Sequence, residues 1–265
     1  MSSHIARFPE YDAIVSSSGG DYTSIATALA TEGTGKRIYV CSGTYSETED
    51  VMPLTDQSIH FEEADGGVII DLDTDKKFLM TNASDITLAG RLKVTGTGDS
   101  SLYYCLFRVI TNVSRINASK CKIIIQPTLT TGLTNHFCPT YFMADYSSWD
   151  LSINDWNITG AASKNAQGIS INSKFSFYRV LIDTYTYAIT TSGYLDGLVL
   201  ASASACYNSI DIIVNSVTTT GITGRGRGIN IVSGASYNSI RGVSRNCDIN
   251  LLDSGTGNKT TDLAT

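Results

Sequence analysis

The sequence predicts an all-β protein: a parallel β-helix of about seven coils, each of roughly 30 residues, behind a short N-terminal helix. Two observations carry this. A short phrase returns at a nearly constant interval, and the composition suits strands and turns rather than helical surfaces.

The repeat is clearest near the C-terminus, where Tyr207-Asn208-Ser209-Ile210 returns thirty positions later as Tyr237-Asn238-Ser239-Ile240. Looser versions run upstream through Phe177-Tyr178-Arg179-Val180, Trp149-Asp150-Leu151, Ser114-Arg115-Ile116, Ser84-Asp85-Ile86 and Ser58-Ile59, with spacings of 27 to 35 residues. A second phrase keeps step with it in Gly168-Ile169-Ser170-Ile171, Gly197-Leu198-Val199-Leu200 and Gly228-Ile229-Asn230-Ile231. Each unit therefore holds at least two short runs of period-2 alternation bounded by turn residues, which is the strand pattern. A sandwich of hairpins has no reason to repeat one phrase every thirty residues. Stacked coils do, because each buries its inward face only against its neighbours. Tyr178, Tyr207 and Tyr237 are expected to stack inside the rod as a ladder at one coil position.

Only 17% of the 265 residues are charged, while the chain has 31 serines, 31 threonines, 23 glycines and 14 tyrosines. Hydroxyl-rich, charge-poor surfaces favour strands and turns over helices, and 42% hydrophobic residues argue against disorder. The formal net charge of −6 and the lack of a basic run argue against a nucleic-acid partner. No apolar run approaches the roughly 18 residues of a membrane span, so no membrane insertion is expected. Met1 to Arg7 lacks the apolar stretch of a signal peptide, so synthesis in a cytoplasm is expected. The six cysteines are far apart, without CxxC spacing or a histidine at ligand distance, and read as buried thiols. No cofactor or metal site is expected.

Taken in order, residues 1–20 form an N-terminal segment, 21–50 a helix with the first coil, and 51–265 the remaining coils. Asp21 to Glu32 reads as a short amphipathic helix, with Asp21 as its N-cap, Tyr22, Ile25 and Leu29 as its apolar stripe, and Gly33 as its stop. The strand Lys36-Arg37-Ile38-Tyr39-Val40 and the turn Ser42-Gly43-Thr44-Tyr45 follow. A helix laid over the first coil covers an edge that otherwise invites aggregation.

Asp21-Tyr22-Thr23-Ser24-Ile25-Ala26-Thr27-Ala28-Leu29 and Arg37-Ile38-Tyr39-Val40-Cys41-Ser42-Gly43-Thr44-Tyr45-Ser46-Glu47 together resemble the N-terminal cap and first coil of pectin-lyase-like β-helices, a group that includes pectinesterases and many phage tailspikes. The resemblance implies a right-handed coil and a capping helix. The pectinesterase pattern of a Gln near an apolar run, an Asp in a strand and an Arg-Pro-Trp triplet is missing, and His4, His60 and His136 fit no such motif.

Two carboxylate groups are candidates for chemistry. Asp71, Asp73 and Asp75 alternate onto one side of a strand, although Lys76 and Asn82 stand where an EF-hand loop needs Gly and Glu. Asp155, Asp183 and Asp211 are spaced by 28 and 28 residues. At equivalent coil positions they would stack at about 4.8 Å intervals, and paired carboxylates at such separations serve glycosidases. Trp156, Tyr185 and Tyr187 lie nearby as a sugar-stacking surface. The function expected is that of a virion or tail-associated, homotrimeric β-helix protein that recognises a host-surface polysaccharide. The alternative is a polysaccharide lyase or glycoside hydrolase acting on one face of the rod.

Overall fold

The computed structural model describes residues 8–98, 105–129, 138, 140–153, 156–162, 166–189, 193–221 and 225–264. In chain order the first elements are β1 (Ala13–Val15), α1 (Ile25–Glu32), β2 (Arg37–Val40), β3 (Gly43–Glu47), β4 (Ser58–Phe61), β5 (Val68–Leu72), β6 (Phe78–Thr81) and β7 (Thr87–Gly98). They are followed by β8 (Phe107–Ile110), β9 (Asn117–Leu129), β10 (Thr140–Phe142), β11 (Ser148–Ile153), β12 (Trp156–Ala162), β13 (Ala166–Ile171) and β14 (Phe177–Ile189). The last are β15 (Leu195–Leu200), β16 (Ser209–Gly221), β17 (Gly226–Ile231), β18 (Ser239–Ser244), β19 (Ile249–Asp253) and β20 (Lys259–Ala264).

The fold is an all-β parallel solenoid of about seven coils. Strands equivalent in successive coils hydrogen-bond in the order β1-β2-β4-β7-β9-β11-β14-β16-β18-β20 on one sheet and β6-β8-β10-β13-β15-β17-β19 on the other. The long strands turn a corner. The first part of β7 pairs with β4 and its second part with β5, so one continuous strand contributes to two faces and the rod has three sides.

Alternation sorts the side chains. In β14, Tyr178, Val180 and Ile182 point inward and are buried, while Arg179 faces out. The interior is one continuous column: Phe78 stacks on Phe107 at 4.8 Å, and Phe142 packs on Trp149 at 4.7 Å and on Tyr178 at 5.8 Å. Burying each such side chain contributes about 1.5–3 kcal/mol. No disulfide joins the six cysteines, and burial pushes the Cys105, Cys121 and Cys138 thiols up.

The helix is shorter than the sequence suggests. It spans Ile25–Glu32 with Ser24, not Asp21, as N-cap, because the Ser24 hydroxyl accepts from the Thr27 N–H at 3.1 Å. Asp21 instead accepts from the Ile14 N–H at 2.9 Å and ties the segment before the helix to β1. Ile25, Ala28 and Leu29 enter the core, and the buried Glu47 carboxylate accepts from the Ile25 N–H at 2.6 Å and the Ser24 hydroxyl at 2.7 Å. A carboxylate at a helix N-terminus meets the positive end of its dipole.

Polar groups also enter the interior, in a ladder. Ser147, Ser176, Asn208 and Asn238 occupy one inward column. Ser176 Oγ accepts from Ser147 N–H at 3.1 Å, Asn208 Oδ1 from Ser176 N–H at 3.1 Å, and Asn238 Oδ1 from Asn208 N–H at 3.1 Å. The Asn208 amide donates onward to Asn238 Oδ1 at 3.0 Å, and Asn258 continues the chain by accepting from Asn238 N–H at 2.9 Å. Each side chain thus satisfies the turn backbone of the coil before it.

Near the C-terminal coils, Asp248 Oδ2 accepts from the N–H groups of Gly226 (2.8 Å), Arg225 (3.1 Å) and Thr219 (3.3 Å) and from the Thr219 hydroxyl (2.8 Å). Burial alone raises this carboxyl, and the hydrogen bonds together outweigh it and hold Asp248 below its ordinary value.

Two outcomes are expected. Asn238→Leu removes the acceptor for Asn208 and the donor to the Ala205 carbonyl, so it lowers stability by about 1–3 kcal/mol for each buried group left unpaired, measured by denaturant unfolding. Because the Asp248 value is depressed in the fold, its contribution is present above about pH 4, the unfolded carboxyl range, and is lost as pH falls through the folded value. Asp248→Asn should flatten that acid step in melting temperature.

Candidate functional site

The corner that precedes the long strands has one unusual feature. Asp56, Asp85, Arg115, Tyr146, Phe175, Tyr207 and Tyr237 all have φ between 53° and 60°, in the left-handed region, and Gly257 follows at 67°. Their N–H groups donate to carbonyls of the next coil: Tyr146 to Lys174 at 3.0 Å, Tyr207 to Ser236 at 3.2 Å and Tyr237 to Thr256 at 3.0 Å. A left-handed residue in every coil turns its side chain outward at the same place, so these side chains stack along the rod.

The upper rungs are ionic. Arg115 Nε and Nη2 each reach the Asp85 carboxylate at 2.6 Å, and this guanidinium holds Asp85 down to about 2. The lower rungs are aromatic. Tyr146, Phe175, Tyr207 and Tyr237 are stacked with centroids 5.3, 5.2 and 5.3 Å apart and planes within 10° of parallel. All four are between 49 and 62% exposed. Their faces meet one another, so the column shows water its ring edges and phenol hydroxyls. It ends where Gly257 takes the next rung, since a Cβ there would lie 2.8 Å from the Tyr237 ring.

Beside this column the strands lay out further outward columns. The first joins Asn117, Ser148, Phe177 and Ser209 in register. With Arg115 and the rings of Tyr146, Phe175 and Tyr207 it bounds an open groove of about 680 Å³. Next comes a charged column, Lys122, Asp150, Arg179, Asp211 and Arg241, one residue per coil. Arg179 Nη1 donates to Asp150 at 3.2 Å, and Arg241 donates to Asp211 through Nε and through Nη2 at 3.1 Å. Arg241 first, and Arg179 as well, keep Asp211 below its ordinary value. Ser152, Leu181 and Ile213 line the following column, and the two columns form the walls of a second groove of about 750 Å³.

Of the carboxylates singled out in the sequence, Asp183 and Asp211 are not in register with each other. Asp155 lies outside the described residues. Asp211 is in register with Arg179, four residues before Asp183, because 211 − 179 = 32 and this coil is longer than the 28-residue spacing supposed. Asp183 Oδ1 instead accepts from Asn215 Nδ2 at 2.9 Å. On the strand geometry, Asp183 and Asp211 stand roughly 14 Å apart along the backbone, beyond the range of a glycosidase pair. Trp156 and Tyr185 are in register, as are Ile158 and Tyr187, on the second face of the rod.

The Asp71 group is likewise not one strand face. β5 ends at Leu72, Asp71 accepts from the Thr95 hydroxyl at 2.8 Å, Asp73 accepts from Thr74 N–H at 2.7 Å, and Asp75 has φ 64°. The aromatic ladder also differs in membership. Tyr207 and Tyr237 share a column, but on the outside of the rod rather than within it, and Phe175 and Tyr146 complete it. Tyr178 is in register with Ile210 and lies buried, with its hydroxyl 2.7 Å from that of Ser173. The signal for the true column was present in the recurrence of an aromatic followed by Ser or Asn at 146, 175, 207 and 237.

No protein-family model, curated protein or solved structure matches the chain. What the fold and these columns define is a parallel β-solenoid whose first sheet carries an aromatic corner, a charged column and two lengthwise grooves.

The corner makes an expectation that inverts the usual ranking of substitutions. At φ 57°, Tyr207→Ala loses both ring contacts and keeps the left-handed strain, whereas Tyr207→Gly loses the same contacts and relieves it. The glycine variant should be more stable than the alanine variant by about 1 kcal/mol, read from paired urea denaturation curves.

Proposed function

We propose that this protein binds a polysaccharide lengthwise along the outer face of its first sheet, and that it does so as the homotrimeric, virion or tail-associated recognition protein that its N-terminal motif resembles. The observation that carries the binding reading is the exposed column Tyr146, Phe175, Tyr207 and Tyr237 at the rim of a groove lined by Asn117, Ser148 and Ser209. Ring edges with hydroxyls give contact area and a polar handle at little entropic cost, and amide and hydroxyl side chains pair with sugar hydroxyls. A linear repeating surface suits a linear repeating ligand. Right-handed coiling belongs to the same reading, since parallel crossovers almost always take that hand, as does the role of α1 in covering the first coil.

Binding is favoured over cleavage by the state of the carboxylates. A glycosidase needs one carboxyl raised enough to donate a proton, and Asp211, in the neighbouring groove of the same sheet, is held the other way by Arg241 and Arg179. Among the described residues the carboxyl that burial does push up, Asp196, is enclosed against Arg227 at 2.9 Å and stands on the other sheet.

The test is affinity electrophoresis of the full chain in gels containing bacterial surface polysaccharides, with released reducing ends followed in parallel. Retardation without new reducing ends is expected, and Tyr146→Ser with Tyr207→Ser should weaken it about tenfold, roughly 1.4 kcal/mol. Equal retardation of the double variant would remove the aromatic corner from the site. Light scattering is expected to give three times the chain mass.

A further inference from the structure

The charged column has a period that the proposed polysaccharide site would impose on its ligand. From Lys122 onward cations recur on alternate coils at Lys122, Arg179 and Arg241, and carboxylates fill the coils between at Asp150 and Asp211, while Arg91, in register with Lys122 on the coil before, ends the alternation. Neighbouring strands stand 4.7–4.9 Å apart, so like charges along the rod are separated by about 9.5 Å. That is close to the length of two sugar rings in an extended chain. We infer, building on the polysaccharide reading above, that the ligand is an acidic polysaccharide with a carboxylate on every second sugar, laid along the groove between the charged column and Leu181 and Ile213.

Three features support this. Arg179 is 62% exposed at its side chain and gives Asp150 a single contact through Nη1, and a guanidinium has five donors, so another carboxylate fits on its outer edge. Lys122 is exposed and makes no ion pair among the described residues. The opposite wall offers the aliphatic Leu181 and Ile213, the last 47% exposed, which matches the C–H face of a neutral sugar. The intervening carboxylates supply selectivity. A polymer charged on every sugar sets half of its carboxylates against Asp150 and Asp211, and Asp211 is kept ionised by its arginines. Like charges so placed are repelled.

The experiment uses hyaluronan and unsulfated chondroitin, which carry one carboxylate per disaccharide, polygalacturonate, which carries one per sugar, and dextran, which carries none. Binding to the full chain is measured by titration calorimetry at low and physiological salt. The two alternating polymers should bind, more weakly as salt screens the contacts, and polygalacturonate about tenfold less tightly. Arg179→Gln and Arg241→Gln should each weaken hyaluronan about tenfold with an unchanged circular dichroism spectrum. Asp150→Ser combined with Asp211→Ser should raise polygalacturonate binding towards that of hyaluronan. If dextran binds as well as hyaluronan, or polygalacturonate binds better, the charge period is not the determinant and the polysaccharide reading alone survives. Binding of none of the four overturns the charge-period inference, and retardation in the electrophoresis described above then decides the polysaccharide reading separately.

Discussion

The hydrogen-bonded spacing between parallel strands governs everything else in this molecule. Once each strand lies about 4.8 Å from its equivalent in the next coil, a side chain has no choice of neighbour above and below it. It must be compatible with the residue one coil away, and the compatible combinations are few: aliphatic on aliphatic, ring on ring, amide on amide, cation on anion. All four occur, beside mixed columns in which Tyr178 meets Ile210 and Phe177 meets Ser209. The interior takes the aliphatic and aromatic columns because burial favours them. The amide column is admitted there because every Asn completes a backbone group that the turn would otherwise leave unpaired. The charged column of the first sheet stays outside, where water limits the cost of mixed charge, whereas Asp196 is enclosed on the other sheet with Arg227 directly in register to pair it.

This constraint explains what the sequence reveals and what it hides. The solenoid is legible because stacking forces repetition, and the phrase Tyr-Asn-Ser-Ile survives intact in the two coils where Asn208 and Asn238 bond directly. Farther upstream the same column holds Ser147 and Ser176, which do a similar job with a shorter side chain, and the phrase blurs. The register between coils was not legible. Phe177-Tyr178 looks like Tyr207-Asn208 by composition, yet the structure aligns Tyr178 with Ile210, two residues away from that match. Period-2 alternation tolerates a shift of two, because inward residues remain inward.

The candidate site suffered from the same ambiguity. A 28-residue spacing of aspartates is a statement about chain length, whereas a shared column is a statement about register, and the coil from Arg179 to Asp211 spends its extra residues in a turn. Asp211 is half-exposed on the first sheet, and the groups beside it are Arg241 and Arg179 rather than Asp183. The helix start illustrates a more local limit. Asp21 and Ser24 are both good N-cap types, and the choice between them was made by distant partners, the Ile14 N–H for one and the Glu47 carboxylate for the other.

The left-handed corner residues have one more implication, for how such a rod changes over time. Because one residue per coil is locked at the same backbone angle and bonded to the same place in the next coil, the corner works as a phase mark. The number of residues between marks is free, as the steps of 29, 32 and 30 from Tyr146 to Phe175, Tyr207 and Tyr237 show. Lengthening a turn therefore leaves the columns in step, and a whole coil can be duplicated or deleted without rewriting its neighbours. The outward pattern of rings and charges is then a modular strip, extended or shortened one unit at a time.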